Sequence, residues 1–329
     1  MEQIIIFIIS LFIFASCDYP FFNTQDKEEP NIAVSAFFTA DSILRVKVEP
    51  VFNAFSNQPK TLTIEKVKVI NRTTKEEFLL KLESNNSSVY TTTNVIPRSG
   101  DVFTAEVYIN GEDNPVIATD TIPDGKPYFR LVNTGLTTCA PYGFYNDISV
   151  KPSAVFRFIP NKMKSFSYYE FFVVIIEHGN NLWPQYPDTA SEVYLESTSA
   201  QITAEDYYPS NPVIDEVGPL SLLFKSSGFA DSVTINFSYY TSLSGDYDSI
   251  YIPNHDLCIE LREVSYNYYK YMTSLYSQKY AIDGNYIYGM PAPVSVYSNV
   301  ENGTGIFAAY NSISQTYYVK SIGVYKQLP

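Results

Sequence analysis

Leu44-Arg45-Val46-Lys47-Val48-Glu49 changes from aliphatic to charged at every step. In a β-strand successive side chains point to opposite faces, so this alternation describes a strand with one buried and one wet face. Phe103-Thr104-Ala105-Glu106-Val107-Tyr108-Ile109 repeats the pattern, and similar runs occur at 32–38, 62–70, 77–82, 89–93 and 115–121. Polar turn clusters separate several of these runs: Ser84-Asn85-Asn86-Ser87-Ser88, Arg98-Ser99-Gly100-Asp101 and Asn110-Gly111-Glu112-Asp113-Asn114. Seven short strands within residues 31–124 predict an immunoglobulin-like β-sandwich. Thr121-Ile122-Pro123-Asp124-Gly125 ends that unit, because Pro and Gly interrupt a strand.

Residues 125–329 read as a second, larger β-rich domain. Tyr168 to Ile176 is apolar apart from Glu170 and predicts a central strand. Leu220–Phe224, Ser232–Tyr240, Leu257–Leu261 and Tyr317–Val324 continue the strand pattern, and the glycines near 303 predict a tight turn between strands at 293–298 and 305–310. One segment changes period. Ser265 is placed to cap a helix over 266–279, with Tyr268, Met272, Leu275 and the stem of Lys279 on one face. Val264 and Tyr269 would form the hydrophobic staple around that cap. The fold class expected is therefore mainly β with one helix.

The N-terminal text fixes an expected compartment. Residues 1–16 read as a lipoprotein signal peptide, with the apolar run Ile4–Ala15 too short to span a bilayer. Phe14-Ala15-Ser16-Cys17 has the form of a lipobox, which makes Cys17 the expected lipidation site. The n-region, Met1-Glu2-Gln3, lacks the usual positive charge. Residues 17–30, with Asp18, Asp26, Glu28 and Glu29 beside Pro20 and Pro30, read as a tether. The expected location is the outer membrane, lipid-anchored, at the cell surface. A net charge of −13 and a pI near 4.6 argue against nucleic acid as a partner. Cys139 and Cys258 are the two remaining cysteines; they show no metal-ligand spacing, and the sequence leaves open whether they pair.

Little in the chain points to catalysis, so no enzyme activity, cofactor or metal is expected. His178 and His255 are the two histidines, and no zinc-protease, nucleophile-elbow or phosphate-loop motif accompanies them. His255 and Cys258 stand three apart on a predicted strand and would face opposite ways. Gly303-Thr304-Gly305-Ile306-Phe307-Ala308 imitates a dinucleotide fingerprint but has no acidic residue after Glu301. Asp246-Tyr247-Asp248 lacks the glycine of a calcium loop. Trp183, the single tryptophan, and Tyr186 lie in the Pro-stiffened loop Gly179–Asp188 and are the candidate partner or ligand contacts. Asp41-Ser42-Ile43, Asp120-Thr121-Ile122, Asp188-Thr189-Ala190, Asp231-Ser232-Val233 and Asp248-Ser249-Ile250 share one pattern, similar to the O-glycosylation acceptor of Bacteroidetes envelope proteins.

Leu261-Arg262-Glu263-Val264-Ser265, Tyr268-Tyr269-Lys270-Tyr271 and above all Ser298-Asn299-Val300-Glu301-Asn302-Gly303-Thr304-Gly305-Ile306-Phe307 carry a family likeness. Pro97-Arg98-Ser99-Gly100-Asp101-Val102-Phe103 and Ala118-Thr119-Asp120-Thr121-Ile122-Pro123 extend it. Together they resemble a Bacteroidetes outer-membrane lipoprotein family, the domain of unknown function 4249. Thr304 departs from its pattern, where Leu is usual. The resemblance implies genes beside TonB-dependent receptors, and hence a TonB-dependent outer-membrane transporter as partner in uptake. The competing expectation is a structural or adhesive envelope lipoprotein. Asn299, Asn302, Gly303 and Gly305 read as a structural turn that directs Ile306 and Phe307 into the core.

Overall fold

The computed structural model describes residues 32–51, 63–84, 87–139, 149–159, 166–177, 189–192, 196–197, 207–208, 221–227, 232–239, 250–288 and 295–324. Seven strands come first: β1 (Ile32–Thr39), β2 (Arg45–Pro50), β3 (Ile64–Asn71), β4 (Glu76–Leu82), β5 (Val89–Thr91), β6 (Val102–Ile109) and β7 (Val116–Thr121). Next are β8 (Tyr128–Cys139), β9 (Ser149–Ile159), β10 (Phe166–Glu177), β11 (Thr189–Glu192), β12 (Glu196–Ser197), β13 (Tyr207–Tyr208), β14 (Ser221–Ser227), β15 (Val233–Ser238), β16 (Ile250–Ile252) and β17 (His255–Val264). Helix α1 (Tyr266–Tyr288) precedes β18 (Val300–Glu301), β19 (Thr304–Val319) and β20 (Ile322–Val324). The protein is mainly β with one helix among the described residues, and that helix is not apolar enough to cross a membrane.

One sheet of fourteen strands runs β13-β14-β10-β17-β19-β1-β2-β5-β4-β3-β6-β7-β18, with β11 beside β10. The part from β1 to β18 curls around a core. Ile32, Val34, Ala36 and Phe38 of β1 face Val46 and Val48 of β2, Val67 and Val69 of β3, and Phe103, Ala105 and Val107 of β6. Period-two alternation supplies these residues, and the outward positions are charged: Lys47 pairs with Glu49 at 2.8 Å and Arg45 with Glu83 at 3.2 Å. Such exposed pairs add only about 0–1 kcal/mol, so apolar burial carries the unit.

A second core forms where β10 and β17 pack on the four-stranded sheet β12-β15-β9-β8. Tyr169, Phe171, Val173 and Ile175 of β10 meet Phe156 and Phe158 of β9, with Phe156 and Phe171 centroids 4.5 Å apart. The apolar run at 168–176 fits its place, since β10 pairs with β14 on one side and β17 on the other. Helix α1 covers the opposite face of this sheet through Tyr268, Tyr269, Tyr271, Met272 and Tyr276.

Strand β19 joins everything. It pairs in parallel with β1 over Thr304–Tyr310 and antiparallel with β17 over Tyr310–Val319. Phe307 and Ala309 enter the first core, Ile306 and Ala308 the cluster under α1, and Val319 the second core.

Two readings need correction. The helix runs to Tyr288 rather than 279, with Gly284 inside it. A mid-helix glycine costs only about 1 kcal/mol and does not forbid continuation. The strand expected at 293–298 is absent over 295–299, where the chain has no ladder pairing and β18 is confined to Val300–Glu301. Side chains take the ladder's place there.

Candidate functional site

The segment Ser298–Phe307 lies along the free edge of β19, in the gap between that strand and β7. Asn299 acts as a one-residue strand. Its Nδ2 donates to the Phe307 carbonyl at 2.8 Å and its Oδ1 accepts the Phe307 N–H at 3.0 Å. Nδ2 also lies 3.3 Å from the Thr119 carbonyl of β7. Val300 and Glu301 then pair with Ala118 and Ile117, and Asn302 Nδ2 reaches the Pro115 carbonyl at 3.0 Å. Asn302 adopts φ 57°, which Asn tolerates better than most residues. A Cβ on Gly303 would sit 2.8 Å from Val116 Cγ1, and one on Gly305 would sit 2.2 Å from the Val34 carbonyl oxygen. The segment therefore fastens the start of β19 between β1 and β7. A shallow cavity of about 370 Å³ borders it, lined in part by Thr119, Asn267, Ser298 and Glu301.

Two residues further along β19, Asp120 continues the same edge. Its Oδ2 accepts the Ala309 N–H at 2.7 Å and the Ser265 hydroxyl, while Oδ1 accepts Asn267 Nδ2 at 3.0 Å. Ser265 in turn accepts the Tyr268 N–H at 3.1 Å, the N-cap bond of α1. The helix is thus capped by a residue that is itself held by β7. Burial pushes the Asp120 carboxyl above its usual range, against the pull of Ser265, Ala309, Thr121 and Asn267. At the waist between the two cores stands Asn311, 1% exposed. Its Nδ2 contacts Ser99 Oγ and the Gly125 carbonyl at 2.7 Å and the Pro123 carbonyl at 3.3 Å. Asn311 thereby grips the connection from β7 to β8, while its own Oδ1 has no partner.

Under α1 lies a buried ionic cluster. Glu170 of β10 is fully buried; Ser221 donates to it at 2.7 Å, Tyr268 donates to it, and Arg262 Nη1 lies at 3.7 Å. Glu170 and Arg262 are direct cross-strand partners. The guanidinium stacks over Phe172 at 4.0 Å and Tyr310 at 4.8 Å, and grips Glu260 by two nitrogens at 2.8 and 3.1 Å. Tyr276 closes the group through Ser221 at 3.0 Å. Burial raises the Glu170 carboxyl, and the Tyr268 and Ser221 hydrogen bonds and the Arg262 charge oppose it. Burial, helped by the Glu170 charge, pushes the Tyr276 hydroxyl up to about 12. Every group in the cluster faces another protein group, so it clamps helix to sheet.

His255 is buried and spoken for. Its Nδ1 donates to the Pro253 carbonyl at 2.9 Å, and its Nε2 shares a hydrogen bond with the Tyr239 hydroxyl at 3.0 Å. Cys258 is a free thiol near Thr316 Oγ1 at 3.5 Å. Among the described residues no group of three metal-ligating side chains occurs. Cys17, Trp183 and Tyr186 lie outside the described residues, as does the Asp246-Tyr247-Asp248 turn. Of the Asp-hydroxyl tripeptides, Asp41-Ser42-Ile43 is an exposed turn, whereas in Asp120-Thr121-Ile122 the acid and the isoleucine are buried. Asp120, Glu170, Arg262 and Asn311 were not expected as a set.

The sequence model of one family, a domain of unknown function (DUF4249), matches residues 18–316. The chain belongs to that family. Among curated proteins nothing matches it. The matched region of this DUF4249 protein takes in the first core, the second core apart from the end of β19, and the helix, so the seam described above lies wholly inside the family's extent.

Proposed function

We propose that this DUF4249 protein is a lipid-anchored outer-membrane accessory protein that binds a TonB-dependent transporter and assists uptake by contact rather than by catalysis. One observation carries the reading. The buried polar side chains Asp120, Glu170, Ser265 and His255 are all hydrogen-bonded to other protein groups. A chain whose buried chemistry is used to hold its shape acts through its surface. The lipobox at Cys17 supports the anchor, and the immunoglobulin-like reading of the first unit is supported by the order β1-β2-β5 beside β4-β3-β6-β7.

The test is co-purification of the native protein from mild detergent. A TonB-dependent transporter should accompany it, and Trp183→Ala should weaken the association by about 2 kcal/mol without altering the fold. Cys17→Ala should block lipidation, and the chain exported on an ordinary cleavable signal should leave the membrane. A chain that remains membrane-bound without acyl groups, or purifies with no transporter, contradicts the reading.

A further inference from the structure

The outer face of the four-stranded sheet carries an arrangement that stability alone disfavours. Arg130 of β8 and Arg157 of β9 are direct cross-strand partners. Their neighbours in sequence, Phe129, Phe156 and Phe158, are fully buried in the second core, so alternation sends both guanidinium groups to solvent, where both residues are exposed. Like charges directly opposite one another destabilise a sheet. A chain with 35 acidic residues and 22 basic ones has ample means to neutralise such a pair. It does so for Arg45, Arg72 and Arg262, each of which meets a glutamate. Among the described residues no carboxylate lies in ion-pair range of Arg130 or Arg157; Arg157 Nε donates to Thr234 Oγ1 of β15 at 3.4 Å.

The surroundings fit a contact surface. Tyr128 and Ile159, paired across the same two strands, are 59% and 50% exposed, and Val132 beyond the arginines is 47% exposed. The row Arg130-Arg157-Thr234 thus crosses three strands with apolar side chains on either side. Guanidinium groups match carboxylates with two parallel hydrogen bonds, and strands hold them in place better than loops would. We propose that this face docks a carboxylate-bearing, partly apolar segment of a partner protein, the carboxylates seated on Arg130 and Arg157 and the apolar residues on Tyr128, Ile159 and Val132. Charge complementarity selects the partner: on a protein of net charge −13, an unneutralised arginine pair attracts acidic groups that the rest of the surface repels.

The inference rests on the reading that the protein works as a binding partner. Its test uses the purified chain alone, so failure here leaves co-purification untouched, and the reverse. The probe is a synthetic peptide of alternating Glu and Leu, followed by thermophoresis over a range of salt. Binding should weaken at least tenfold in the double variant Arg130→Glu/Arg157→Glu and fall with ionic strength, while Lys225→Glu, on another sheet, changes nothing. Arg130→Gln should raise the thermal midpoint by removing like-charge repulsion. The proposal is overturned by a peptide that ignores the double variant, or by an Arg130→Gln midpoint that falls. It is equally overturned by anionic phosphatidylglycerol vesicles binding where the peptide does not, which indicates lipid phosphate. Arginine-dependent dimers in ultracentrifugation, which indicate a second copy of the chain, overturn it too.

Discussion

Replacing Asn299 by Ala removes three hydrogen bonds with one side chain: to the Phe307 carbonyl at 2.8 Å, from the Phe307 N–H at 3.0 Å, and to the Thr119 carbonyl at 3.3 Å. Phe307 is fully buried and sits between the first core and the seam. Each intramolecular hydrogen bond contributes about 1 kcal/mol net, and a buried backbone group left unpaired costs about 1–3 kcal/mol. Asn299 itself is half-buried, so water can replace part of what is lost. The expected cost is therefore about 2–4 kcal/mol, a large share of the 5–15 kcal/mol of an ordinary domain. Urea unfolding should show the midpoint falling with an unchanged slope. Hydrogen exchange at the Phe307 amide should quicken by the matching factor. Asn299→Asp separates the two halves of the argument: it keeps an acceptor for the Phe307 N–H but sets a carboxylate against two carbonyl oxygens, and should do no better than Ala. A loss under about 1 kcal/mol, with Phe307 exchange unaltered, would mean that the side chain does not stand in for a strand.

Gly305→Ala places a Cβ 2.2 Å from the Val34 carbonyl oxygen at φ 112°, and backbone strain with forced displacement should cost about 3–5 kcal/mol. Gly111→Ala, also at positive φ but facing open space, should cost clearly less in the same thermal melts. Ser265→Ala loses the helix cap and one of the donors to Asp120, about 2 kcal/mol together, read by chemical denaturation; a loss of a few tenths would contradict the double role. Asp120 and Glu170 both hold their protons more tightly folded than unfolded, chiefly through burial. Their contribution is complete below about pH 4 and is lost as pH rises through their folded values. Glu170→Gln should therefore show a smaller fall in stability with rising pH than the parent, and parallel curves would refute the assignment.

The first seven strands were legible because several carry a period-two pattern, as in Leu44–Glu49, and polar turn clusters mark off the others. The cap at Ser265 was legible too, since a hydroxyl ahead of an apolar helical face is local information. β8 was not. A β-bulge between Leu131 and Asn133 shifts its register and breaks the alternation halfway along. β19 reads as two strands because Asn311-Ser312-Ile313-Ser314-Gln315-Thr316 is polar apart from Ile313, although it pairs with β17 throughout. Nothing local announces its parallel pairing with β1, nearly the whole chain away. Glu170 left a faint sign, a lone charge in an apolar run, which ought to have a buried partner. Naming Arg262 required the register of β10 on β17. Asp120 drew notice only within a short tripeptide and a stretch of family likeness, and its place at the seam depends on a fold that brings residues 120, 265 and 309 together.

That convergence bears on how the two cores behave. Two units joined by a plain linker move independently when few contacts cross between them. Here the crossing element is a strand. Phe307 and Ala309 complete the first core, Val319 helps close the second, and Asn311 between them grips the chain connecting β7 to β8. The helix that covers the remaining face is capped through Asp120, a residue of the first unit. Bending at the waist would have to part Asn311 from the Ser99 and Gly125 oxygens, expose the Ala309 N–H and uncap α1 in one motion. Each of those losses costs about 1–3 kcal/mol, and none is regained until all are remade. The two cores therefore hold a fixed relation, and the arginine face on one keeps its orientation relative to the chain entry at Ile32 on the other.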